Sequence, residues 1–159
     1  MPSTTNFRDK AFVLVLYESG CRIGEFLSLK LKNVCFDRYG AKLIVEGKTG
    51  RRRVRIIESV NLLEQWLGCH PNANDREAYL WTTIAQNSRG KPLEYQVLRK
   101  ILKRIAKKSG IEKPVNPHSF RHSRATHLAN KLTEAQMCEF FGWKQGSEMP
   151  SIYVHLSGR

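Results

Sequence analysis

Apolar positions along this chain first recur with the period of a helix, then of a strand, then of a helix again. Asn6 and Asp9 are capping side chains for a helix running to about Ser19, where Gly20 stops it. Residues 22–30 predict a second, shorter helix with Ile23, Phe26, Leu27 and Leu29 toward the core. The period then drops to two. Residues 34–37, 41–46 and 51–57 read as strands, separated by Arg38-Tyr39-Gly40 and Gly47-Lys48-Thr49-Gly50. In the last of them Arg53, Val54, Arg55 and Ile56 alternate, which makes one face apolar and the other cationic.

Helical spacing returns over 59–67, burying Leu62, Leu63, Trp66 and Leu67. Residues 68–77 are loop, 79–81 a short extended piece, and 82–92 loop again. The clearest helix covers 94–109: Val97, Leu98, Ile101, Leu102 and Ile105 fall within an arc of about 140° at 100° per residue. After a loop with Pro114 and Pro117, helices are expected over 118–130 and 133–141. A last one begins near Ser147, with Pro150 in its first turn and Tyr153 inside it. No linker or repeat divides the chain, so residues 1–159 predict one domain, mostly α with a small three-stranded antiparallel sheet.

Charge changes the picture. Lys and Arg number 27 against 14 acidic residues, a net +13 that points to a polyanionic partner. Arg99, Lys100, Lys103, Arg104 and Lys107 share the polar arc of the 94–109 helix, where like charges repel at i,i+4 unless phosphates neutralise them. The longest apolar run, 11–17, is seven residues, against roughly 20 for a membrane span. The basic helix also lacks Trp or Phe on its apolar side, so a membrane surface is the weakest partner. The first seven residues carry no signal-peptide pattern. Cys21, Cys35, Cys69 and Cys138 form no Cys-x-x-Cys pair, which argues against a zinc cluster or disulfide framework and for a reducing, cytoplasmic setting.

Three local features invite chemistry. Gly47-Lys48-Thr49 resembles the end of a phosphate-binding loop, but that loop needs glycine where Lys42 stands and a following helix where a strand is predicted. Nucleotide hydrolysis is therefore rejected. Arg22 and Glu25 lie one helical turn apart, as do His118 and Arg121; taken singly, such pairs are ordinary surface contacts worth under about 1 kcal/mol.

In order, however, they carry a specific resemblance. Glu18-Ser-Gly-Cys-Arg22-Ile-Gly-Glu25-Phe-Leu-Ser-Leu-Lys30 resembles the first arginine box of the tyrosine recombinase (phage integrase) family. His118-Ser-Phe-Arg121-His122-Ser-Arg-Ala-Thr126-His127 is similar to its second box, and Ile152-Tyr153-Val-His155 to its nucleophile segment. Phe141-Gly142-Trp143 resembles a third box, in which most members have histidine and some have tryptophan. Lys48 sits in a hairpin between the first two boxes, where the family carries its catalytic lysine.

The resemblance implies a DNA breaking-rejoining fold and a catalytic set of Arg22, Lys48, His118, Arg121, Trp143 and Tyr153. Two guanidinium forks suit a phosphodiester whose oxygens gain charge during attack. Tyr153 is the implied nucleophile, forming a phosphotyrosine link. Lys48 is the best candidate to protonate the leaving 5′-oxygen, and His118 assists proton movement at Tyr153 or donates to the phosphate. Glu25 supports from behind by orienting Arg22 or His118. The Trp143 indole can donate one hydrogen bond and pack against the Tyr153 helix, but it is neither acid nor base. The covalent link stores the phosphodiester energy, so no cofactor and no metal are expected. His127 is expected to be structural.

The expected partner is double-stranded DNA, gripped by Arg51, Arg52 and Arg53 on the hairpin and by Arg99, Lys100, Lys103 and Arg104 on the basic helix. Family members usually carry an N-terminal DNA-clamping domain that nothing before Phe7 supplies, so the chain is expected to be the catalytic domain. Self-assembly into a synaptic complex is expected of the full-length protein. Two alternatives remain open: relaxation of supercoils in the manner of a type IB topoisomerase, and a non-catalytic DNA-binding module.

Overall fold

The computed structural model describes residues 6–112 and 115–156. Pro114 of the expected loop, and the side chain of His155, lie outside the described residues. The first helix, α1 (Phe7–Ser19), starts where the Asn6 side chain accepts the Asp9 N–H and ends at Gly20, whose φ of 62° is left-handed. Glycine is needed there for a second reason: a Cβ at Gly20 would lie 2.6 Å from Cε1 of Phe141. The following helix, α2 (Ile23–Leu27), is one turn shorter than its pattern suggests and passes through a 3₁₀ turn, Leu31–Asn33, into the sheet.

The sheet is antiparallel in the order β1 (Val34–Asp37), β2 (Gly40–Gly47), β3 (Gly50–Ile56). Gly47 pairs with Gly50, leaving Lys48 and Thr49 as a two-residue turn. Val45 stands opposite Arg52, Leu43 opposite Val54 and Ala41 opposite Ile56. All six of these side chains are buried, so Arg52 belongs to the inward face of β3.

After the sheet come α3 (Val60–Gly68) and a long loop. The extended piece expected at 79–81 amounts to a single bridge between Lys30 and Tyr79. The loop carries Trp81 into the core, where it stacks on Phe26 at 4.9 Å and meets Phe12 edge-on.

Helix α4 (Tyr95–Lys108) buries Leu98, Ile101, Leu102 and Ala106. Its buried stripe is rotated from the expected one: Val97 is exposed and Ala106 takes its place. Arg104, on the same exposed edge as Val97, bonds Asp9 of α1 at 2.8 Å. Asp9 is buried there with Arg8.

The remaining helices are α5 (Pro117–Leu128), α6 (Glu134–Phe141) and α7 (Met149–Leu156). Asn116 caps α5 by accepting the Ser119 N–H, and Pro117 needs no partner in its first turn. Helix α5 ends two residues earlier than expected, and α7 begins at Met149 rather than near Ser147.

Two hydrophobic cores result. One joins α1–α4 and the sheet; the other gathers Ala125, Leu128, Ala129, Met137, Phe141 and Tyr153 from α5–α7. Arginines cross the seam between them. Arg124 Nε donates to Glu18 O at 2.9 Å, and Arg121 donates to Gly20 O at 2.7 Å. Glu18 in turn accepts the N–H groups of Ile57, Glu58 and Ser59 and the Ser59 hydroxyl, tying α1 to the start of α3. Among the described residues, no helix is long and apolar enough to cross a membrane.

Candidate active site

The seam is where the singled-out residues meet. Helix α6 ends at Gly142 with carbonyls pointing outward, and four side chains from distant parts of the chain converge on them. Arg52 Nε donates to Phe140 O at 3.0 Å. Both Arg22 Nη1, at 3.4 Å, and Arg121 Nη2, at 2.6 Å, donate to Phe141 O. The Thr49 hydroxyl donates to Gly142 O at 2.8 Å, which ties the hairpin tip beside Lys48 to the same corner. A helix C-terminus carries partial negative charge, so it is a natural anchor for cations.

Glu25 supplies the full negative charge. Its oxygens accept both Nη atoms of Arg52, at 2.9 and 2.8 Å, together with the Arg22 backbone N–H and Nη1. Of the two residues Glu25 was expected to orient, it bonds Arg22. Burial alone would raise the Glu25 pKa, but hydrogen bonding and charge from Arg52, then Arg22, hold it below the usual carboxylate range. The Arg121 guanidinium is pushed down to about 10 by burial and by the neighbouring charges of Arg22 and Arg52.

A cleft of about 390 Å³ opens on this cluster, lined by Arg22, His118, Arg121, Trp143 and Tyr153 with Cys21 behind. The Cys21 thiol is fully enclosed, and burial pushes its pKa up. Phe141, Trp143 and Tyr153 stack in sequence, at 5.0 Å and 5.6 Å between ring centroids. Tyr153 is 7% exposed. Its hydroxyl lies 3.3 Å from His122 Nδ1, and the two rings meet edge-on.

The structure therefore gathers Arg22, His118, Arg121, Trp143 and Tyr153 around one cleft. Lys48 stands apart at the exposed hairpin tip and does not line it. His122 carried no role in the sequence reading, although its position four residues after His118 already put both on one face of α5. His127 is exposed, which does not support a role in packing. Among the described residues, no group of three His, Cys, Asp or Glu side chains is placed to hold a metal ion.

The expected DNA contacts divide. Arg99, Lys100 and Lys103 line a second cleft, of about 770 Å³, with Lys107 and Asn116. Arg104 is drawn off to Asp9, and Arg51 pairs with Glu46 across the hairpin at 2.6 Å. Arg53 is exposed. Arg52 is a correction: expected on a DNA-facing surface, it is buried, with three nitrogens engaged inside the protein. Strand parity is the reason, because Arg52 shares the face of Val54 and Ile56.

Residues 1–159 match the model of the phage integrase family. The chain is 32% identical over 152 residues to the tyrosine recombinase XerD of Listeria innocua, covering 94% of this chain and 50% of that protein. It thus spans about half the length of the curated relatives it matches. A crystal structure of XerH site-specific recombinase bound to a palindromic difH substrate, a post-cleavage complex, superposes with a TM-score of 0.76 at 25% identity, over 99% of this chain and 44% of that one. The crystal structure of XerA recombinase shares the fold, with a TM-score of 0.79 at 24% identity over 96% of this chain and 53% of that one.

Proposed function

The chain belongs to the phage integrase family, and on that premise we propose that it is the strand-cutting and rejoining domain of a site-specific DNA recombinase. One observation carries the reading: Arg22 and Arg121, both braced on Phe141 O, line one cleft together with His118, Trp143 and Tyr153. A scissile phosphate entering there would meet two guanidinium forks, and the charge growing on its oxygens would relieve the repulsion between them. Tyr153 Oη attacks phosphorus as the bond to the 5′-oxygen breaks, leaving a 3′-phosphotyrosine. The phenolic proton passes to an imidazole of α5; His122 Nδ1 is the nearer at 3.3 Å, with His118 on the same face. Lys48 gives the leaving oxygen its proton, which requires the hairpin tip to reach the cleft over bound DNA. Trp143 donates through its indole N–H and holds the phenol ring by stacking. Attack by the 5′-hydroxyl of another strand reverses these steps and completes rejoining.

The proposed partner is duplex DNA, gripped along the cleft of Arg99, Lys100, Lys103 and Lys107. Exchange between two duplexes calls for several copies of the whole protein to assemble, and that assembly, in the cytoplasm, is part of the proposal.

The test uses a pool of nicked duplexes of random sequence, in which the cut fragment diffuses away and traps the adduct. Wild type should be captured covalently, with the modified peptide containing Tyr153. Tyr153→Phe should lose capture yet bind duplex with nearly unchanged affinity. An adduct on Tyr79 or Tyr95, or capture by the Phe variant, would overturn the assignment.

A further inference from the structure

Arg52 occupies an unusual place for a residue of a cationic hairpin. It is 9% exposed, and its guanidinium spans both cores: Nη1 and Nη2 grip Glu25 as a two-pronged fork, while Nε holds Phe140 O at the end of α6. The gap it threads is narrow. A Cβ at Gly142 would lie 2.6 Å from Arg52 Nη1, and Gly142 has a left-handed φ of 75° that disfavours any other residue. Glu25 in turn holds Arg22 by backbone and side chain. Arg22 has 42% of its side chain exposed, so without this brace its long stem would be free to sample other rotamers.

We propose that Arg52 is a positioning residue for the reaction: by clamping Glu25 against the end of α6, it fixes the Arg22 guanidinium where the scissile phosphate binds, and it is not a DNA ligand. The inference rests on the recombinase reading above. Three features make it specific. The side chain points away from solvent and lacks a free edge for a phosphate. Its bonds reach the same α6 terminus that receives Arg22, Arg121 and Thr49, so one residue registers both arginines and the Lys48 hairpin. Its partner carboxylate is shared with Arg22 alone among the described arginines. Lysine cannot replace it, because an ammonium cannot span a carboxylate fork and a carbonyl on another helix together.

The experiment uses one duplex captured from the random pool and compares Arg52→Lys, Glu25→Gln and Arg53→Ala. Single-turnover cleavage is measured at saturating protein, alongside duplex affinity as a function of salt. Arg52→Lys and Glu25→Gln should each slow cleavage by about 10–100-fold, the range for losing an outer-shell partner, with affinity and salt slope unchanged. Arg53→Ala, at an exposed site, should instead reduce the log–log salt slope by about 0.9. In an Arg22→Lys background, Arg52→Lys should add less than about 3-fold, because the arginine it positions is already gone.

A weaker duplex affinity with an unchanged saturated rate for Arg52→Lys would make Arg52 a DNA ligand and overturn the proposal. Full multiplication of the Arg22 and Arg52 defects would overturn it too, by showing that they act separately. If Arg52→Lys melts early, Glu25→Gln carries the same comparison, and a normal cleavage rate in that variant refutes the brace. Failure of wild type to form any adduct would instead sink the recombinase reading itself.

Discussion

Replacing Glu18 by glutamine removes a charge that four donors share without changing the shape of the side chain. Glu18 is 7% exposed, with Oε2 receiving Ile57 N–H at 2.8 Å and Glu58 N–H at 3.0 Å. Oε1 receives Ser59 N–H at 2.9 Å and the Ser59 hydroxyl at 2.6 Å. A glutamine carbonyl can serve one of these pairs. Its NH₂ then faces the other pair, where the serine hydroxyl can turn to accept but a backbone N–H cannot. Each surviving bond falls from charge-assisted to neutral strength, a loss of about 1 kcal/mol, and one buried unpaired N–H costs about 1–3 kcal/mol. The expected destabilisation is about 3–5 kcal/mol, a large part of the ~5–15 kcal/mol available to a domain. Urea denaturation at neutral pH measures it, and the Tm should fall by roughly 10 °C.

The pH dependence adds a check. Burial would raise the Glu18 pKa, but the hydrogen bonds from Ser59, Ile57 and Glu58 outweigh it and hold the pKa below the usual carboxylate value. A lowered native pKa means that the carboxylate contributes its stability above the unfolded value of about 4.3 and loses it as pH falls through the native one. The gap between wild type and variant should therefore stay constant from neutral pH to about 5 and close below about 4. A gap under about 1 kcal/mol, or one that does not change with acid, would refute the reasoning.

Two further outcomes test the proposed chemistry and the proposed interface. Lys48→Ala should slow cleavage by about 10²–10⁴-fold, and a duplex with sulfur as the 5′-bridging atom should restore it, since a thiolate departs without a proton; Arg22→Ala should gain nothing from sulfur, and failure of sulfur to rescue Lys48→Ala removes the lysine from that role. Changing Arg99, Lys100 and Lys103 together to glutamine should weaken binding to all duplex sequences alike and reduce the salt slope by about 0.9 per lost phosphate contact; an unchanged slope would mean that this face is only solvated.

Most elements could be read from the chain because their causes are local. Period-two alternation placed β2 and β3, and Gly20 and Gly142 ended α1 and α6, since backbone geometry repeats over two to four residues whatever lies elsewhere. The motif residues were legible through their resemblance to the boxes of the phage integrase family, since spacing alone left each pair an ordinary surface contact. Arg52 was legible too, by its parity with Val54 and Ile56, but grouping it with Arg51 and Arg53 as one cationic run passed over that parity.

What no local pattern contains is which atoms meet across the seam. Arg121 bonds Gly20, 101 positions away, and Arg52 bonds Phe140, 88 positions away, because two cores pack against one helix end. The contact of Tyr153 with His122, and the capture of Arg104 by Asp9, arise in the same way. The sequence by itself determined the elements and the kinds of side chain available for phosphate chemistry. Only the tertiary structure decided which cations face a cleft and which are consumed as braces, since burial and partner distance are set by packing between segments far apart in the chain.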